Sequence, residues 1–166
     1  MKTLEYYKIK GFTIFVRGVK PRERGALLDV RCDHIMRGMT EGIISDKMLT
    51  TEECQMRSEL LIETLKPFLT YGRKYKAKKI FERYIETLGK PLDKQRIAEN
   101  VSIWAYENNQ KGLFSISMKF LRHMGPLYTL RIAHMAIDAG DLETIKRLIE
   151  KGANPNEILY EPDNNS

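Results

Sequence analysis

Apolar residues recur every three or four positions along most of this chain, and each such stripe predicts an amphipathic helix. The clearest spans 73–88. There Ala77, Ile80, Phe81, Tyr84, Ile85 and Leu88 share one face, and Gly89 with Pro91 closes the segment. Upstream, Thr50-Thr51-Glu52-Glu53 has the spacing of a capping box, with Thr50 as N-cap and Glu53 reaching back. The helix it starts buries Leu61, Leu65 and Phe68, and Pro67 kinks or ends it. Residues 92–107 align Ile97, Val101 and Trp104, and Trp104 is the expected centre of the helical core. Residues 113–124 align Leu113, Ile116, Phe120 and Leu121 before Gly125-Pro126. Residues 128–138 and 142–151 make a last helix pair around Ala139-Gly140-Asp141.

The amino-terminal pattern differs. Leu4–Ile9 and Phe12–Val16 are rich in aromatic and β-branched residues, with Lys10-Gly11 between them, and read as a β-hairpin. Phe12, Ile14 and Val16 then share one strand face. Gly18 through Gly25, with Pro21, reads as a loop. In 26–39 Leu28, Cys32, Ile35 and Met39 keep helical spacing, while Leu27-Leu28-Asp29-Val30 also suits a third strand; both assignments stand. Gly38, Gly42 and Ser45 break the chain. The expected fold is mainly α: an N-terminal β-hairpin followed by a short stack of helix pairs. It divides into a basic region over 1–45, a helical region over 46–158 and an acidic tail over 159–166.

Residues 131–156 carry a resemblance. Ala133-His134-Met135-Ala136, the turn Gly140-Asp141-Leu142-Glu143, the apolar positions Ile145, Leu148 and Ile149, and the outgoing Gly152-Ala153-Asn154-Pro155-Asn156 together resemble an ankyrin repeat. The family's Thr-Pro at the first-helix start is replaced by Arg131-Ile132. Looser echoes end at Gly125 and at Gly89. A single unit cannot bury its own face, and stacks of about three are the norm. The resemblance implies a recognition scaffold with no catalytic machinery of its own, and a structural role for His134.

Composition narrows the function. The 166 residues are 42% hydrophobic and 30% charged, as in a globular chain. No run approaches the ~18 apolar residues that span a bilayer, and the start has no apolar signal-peptide core. With two cysteines, Cys32 and Cys54, the expected setting is a reducing cytoplasm. The net charge of +6 is unevenly spread. Residues 1–24 carry seven basic side chains against two glutamates, and 71–84 carry six against Glu82 alone. Residues 141–166 carry three basic against six acidic.

Two function classes fit. The first is a non-catalytic protein-binding adaptor or inhibitor, a virus-encoded modulator of host machinery among the regulators such a chain suits. It would act on a protein partner with an acidic surface through Arg73, Lys74, Tyr75, Lys78 and Lys79. The second is binding of DNA or RNA by the basic helix 71–84 and by the N-terminal hairpin, whose Lys8, Lys10, Arg17, Arg22 and Arg24 would add a second contact strip; Lys and Arg neutralise phosphates, and an exposed Tyr75 stacks on a base. A solvated outer helix face is the plain alternative for these cations. Catalysis has little to stand on: nucleophile elbow, phosphate loop, dinucleotide fingerprint and zinc-protease motif are all missing. Asp29, Arg31, Asp33 and His34 lie close together, but the spacing also suits a solvated helix. Cys32 and His34 lack zinc-ligand spacing. No cofactor, metal, membrane or small-molecule substrate is expected.

Overall fold

A computed structural model of the chain describes residues 2–41, 47–121 and 126–156. Among the described residues it holds eight helices and no sheet: α1 (Leu4–Gly18), α2 (Pro21–Glu41), α3 (Thr51–Thr70), α4 (Lys74–Glu86), α5 (Pro91–Glu107), α6 (Lys111–Met118), α7 (Pro126–Ala139) and α8 (Leu142–Glu150). The boundaries expected at 45/46 and 158/159, the breaks at Gly42 and Ser45, and the tail 159–166 lie outside the described residues.

The N-terminal β-hairpin is not present; Leu4–Gly18 is one helix. Thr3 caps it by accepting from the Tyr6 amide at 3.3 Å. Tyr6, Thr13 and Val16 are buried with Ile9 half-buried, a spacing of three and four that a strand cannot produce. Burying Thr13 leaves no unpaired hydroxyl, because it donates to the Ile9 carbonyl at 3.2 Å. Ile14, expected on a shared strand face with Val16, is exposed. The loop expected over 18–25 is also shorter. Val19 and Lys20 alone separate α1 from α2, and 26–39 is helix throughout.

Arg24 makes that tight corner. Its Nε donates to the carbonyls of Val16 (3.1 Å) and Val19 (2.8 Å), and its Nη2 to that of Arg17 (2.8 Å). The guanidinium therefore satisfies carbonyls at the negative end of α1. It also lies 4.6 Å from the centre of the Tyr71 ring.

Helix α3 starts with both halves of the capping box. Glu53 N donates to Thr50 Oγ1 at 3.1 Å, and Thr50 N to Glu53 Oε1 at 3.3 Å. Pro67 does not end it; the helix runs on to Thr70. Helices α1, α4 and α5 all pack on α3, α2 packs on α4, α6 on α4 and α5, and α7 joins α5 to α8. One apolar cluster reaches from Val16 to Ala153, with Phe68 and Phe81 its largest fully buried side chains. Trp104 is not its centre. It is half-buried at the margin, and the fully buried Ala105 faces inward instead. In α6 the buried residues are Leu113, Phe114, Ser117 and Met118, while Ile116 is half-buried. Residues 122–124 lie outside the described residues.

The expected last helix pair is present. Gly140 at φ +67° makes the two-residue turn between α7 and α8, a backbone region that favours glycine. Ile132, Ala133, Ala136 and Leu148 are buried, but Ile149 is exposed. Among the described residues no helix is long and apolar enough to cross a membrane.

Candidate functional site

The five residues singled out on α4 do not form one patch. Arg73, just ahead of the helix, turns toward α2. Its Nε lies 3.4 Å from Asp29 Oδ1, and Lys76 Nζ lies 2.9 Å from the same oxygen. The Lys76 hydrogen bond is the main reason the Asp29 carboxyl sits below its usual range. Gly25 leaves room for this arrangement, since a Cβ there would meet the Arg73 guanidinium. Arg73 is thus a helix–helix contact, and Asp29 is its partner. Of the other polar residues near Asp29, Arg31 lies 4.8 Å from the centre of the Phe12 ring, and Asp33 and His34 are exposed. Cys32 is buried, whereas His34 is exposed.

Lys74 and Lys78 turn the other way, toward the start of α6. With Lys111, Asn109 and Gln110 they line a recess of about 160 Å³. Asn109 adopts φ +55°, which asparagine tolerates, and so ends α5 and directs the chain into α6. Gly112 lies beside the Lys78 side chain at ordinary van der Waals distance, about 3.6 Å from where a Cβ would stand to Lys78 Nζ. Three lysines therefore line one small recess. Lys74, Lys78, Lys79 and Lys111 form no ion pair among the described residues. Tyr75 is 66% exposed, with Lys79 Nζ 4.9 Å from its ring centre.

The first turn of α4 holds no acid, its four lysines lie in the first half of the helix, and Glu82, Arg83 and Glu86 come late. The arrangement opposes helix stability and presents a positive surface outward. Lys111 was not legible as part of this site, because no sequence spacing links it to α4.

A second opening of about 510 Å³ lies between α5, α6 and the α7–α8 turn. Its polar groups already serve one another. Asp141 caps α8 by accepting from Thr144 N (3.2 Å) and Thr144 Oγ1 (2.6 Å), and the Tyr106 hydroxyl donates to it at 2.9 Å. Arg147 donates to Ser115 at 2.8 Å. These bonds tie the last helix pair to α5 and α6. Among the described residues no three His, Cys, Asp or Glu side chains gather as a metal would require.

No family model, curated protein or solved structure matches the chain.

Proposed function

We propose that this chain is a non-catalytic recognition module that binds an acidic protein partner through the cationic face formed by Lys74, Lys78 and Lys79 of α4 with Lys111 of α6. The observation that carries it is a set of lysines that form no ion pair among the described residues, Lys74, Lys79 and Lys111 exposed and Lys78 half-buried, with Lys74 and Lys111 opening their helices where positive charge is least favourable. Arg73 leaves the binding set and becomes the contact that orients α4 on α2. The ankyrin-like pair α7–α8 supports a scaffold role, since stacked helices present extended surfaces. A cytoplasmic setting belongs to the same proposal and agrees with two buried, unpaired cysteines. The exposed Tyr75 beside Lys79 favours a second occupant, a nucleic-acid strand stacked on the ring.

The test is a triple variant, Lys74→Glu with Lys78→Glu and Lys79→Glu, in affinity purification with and without nuclease. A protein partner survives nuclease and is lost from the variant. A nucleic-acid partner disappears with nuclease and shows a steep salt dependence. Its helix content is checked by circular dichroism, because acids at 74 and 78 would stand one turn from each other and from Glu82. Unchanged binding by a folded triple variant rejects the cationic face.

A further inference from the structure

Helix α1 has two apolar faces, and the fold uses one. Tyr6, Ile9, Thr13 and Val16 pack toward α3. Offset from them by about 200° around the axis, Leu4, Tyr7, Gly11, Ile14 and Gly18 make a second stripe with seven-residue spacing, broadened by Phe15. Its large members are open to solvent: Leu4 69%, Tyr7 59%, Ile14 61% and Phe15 58% exposed. Nothing in the described structure covers them. Exposed apolar residues scattered singly are ordinary, but four along one helix face mark a contact surface.

Two further observations say what covers it. First, the stripe is bordered by Lys8, Lys10 and Arg17, which form no ion pair among the described residues; Glu5, in the first turn, is the one acid of α1. Second, Gly11 sits at the middle of the stripe with nothing within 4 Å of an added Cβ. A glycine inside a helix is unfavourable for the fold and leaves a notch where another backbone can approach closely. A second copy of this chain would set Lys8, Lys10 and Arg17 against themselves. A flat lipid surface has no use for the notch.

We propose that this outer face of α1 docks an amphipathic helix of a partner protein, apolar along one side and flanked by carboxylates, crossing α1 at Gly11. Leu4, Tyr7, Ile14 and Phe15 take its apolar side chains, and Lys8, Lys10 and Arg17 pair with its acids. The inference goes beyond the α4 reading and does not depend on it.

The test titrates the full chain with a synthetic helical peptide of about 20 residues, leucine and phenylalanine on one face and glutamate along its borders. The acidic peptide binds, and the same peptide with lysine for glutamate does not. Replacing Ile14 and Phe15 together by glutamate weakens binding at least about a hundredfold with helix content retained, since central apolar anchors dominate such contacts. Gly11→Leu fills the notch and weakens it about tenfold or more without unfolding the chain. Lys74→Glu with Lys78→Glu leaves it unchanged, which separates this face from α4. Absence of binding, equal binding of both peptides, or a double variant that binds as well as the native chain overturns the proposal. So does capture of the same four side chains by vesicles of about 30% phosphatidylserine, or concentration-dependent dimerisation that the double variant abolishes.

Discussion

Replacing Gly11 by alanine should stabilise the protein, and the sign of the effect decides what the first eighteen residues are. In α1 Gly11 is an interior helical position with ordinary backbone angles; the glycines at positive φ among the described residues are Gly72, Gly140 and Gly152. Alanine is favoured over glycine inside a helix by about 0.8–1.0 kcal/mol, partly through the unfolded chain. The new methyl meets no heavy atom within 4 Å, so packing neither adds to this figure nor subtracts from it. The expected gain is therefore about 1 kcal/mol, or about 2–4 °C in Tm for a chain of this length. Paired urea and thermal melts followed by circular dichroism measure it, and an unchanged urea slope shows that the folded and unfolded states are otherwise the same. Gly72→Ala, at φ +78°, is the opposing control and should cost about 1–2 kcal/mol. In a hairpin turned at Lys10-Gly11, alanine would instead fall on a turn position where glycine is preferred. A neutral or destabilising Gly11→Ala refutes the uncovered helix.

Three further outcomes are expected. Arg24→Ala should lose about 2 kcal/mol in chemical denaturation, because three carbonyls at the end of α1 lose a charged donor, and Arg24→Lys should recover less than half, since one ammonium cannot span them and the Tyr71 ring together. Asp141→Ala should cost about 1–2 kcal/mol by removing the α8 cap. The hydrogen bonds of Thr144 and Tyr106 hold the Asp141 carboxyl below its usual range, so its contribution is present above about pH 4 and fades as pH falls further; the alanine variant should show a flatter acid limb in melts against pH. Burial pushes the Tyr128 phenol up to about 12, so its stabilising share is full below about pH 10 and is lost between about 10 and 12, a difference of about 2–3 kcal/mol. Ultraviolet titration should find it ionising late, with Tyr106, also raised to about 12, and Tyr128→Phe should remove one late phenol.

The helices from Thr51 onward were legible because each has one apolar face, and a single face keeps its period visible. Helix α1 was misread for the opposite reason. With apolar residues on two sides, Phe12, Ile14, Phe15 and Val16 satisfy alternation and helical spacing alike, and Gly11 imitates a turn. The winning period is set by α3, which offers a surface for Tyr6, Thr13 and Val16 together. The face that obscured the helix is the face left open for docking. Trp104 misled on size: a large ring is seldom fully enclosed, and the close approach of α5 to its neighbours needs the small Ala105.

The cationic site divides in the same way between what spacing carries and what only folding supplies. The excess of lysine and arginine in 71–84 can be counted from the sequence, but its partners cannot. Asp29 reaches Arg73 and Lys76 only when α2 lies on α4, and Lys111 meets Lys74 and Lys78 only when Asn109 turns the chain into α6. Once Asp29 has taken its two cations, Lys74, Lys78 and Lys79 still stand near the positive end of α4. Lys74, in the first turn, opposes the helix by about 0.3–1 kcal/mol at low ionic strength. Among the described residues those three lysines make no ion pair. A fold selected for stability alone would have acids there, as Thr50-Thr51-Glu52-Glu53 provides at the start of α3. The two amino-terminal ends therefore differ: α3 is capped and balanced from within the chain, and α4 has neither a side-chain cap nor an acid in its first turn.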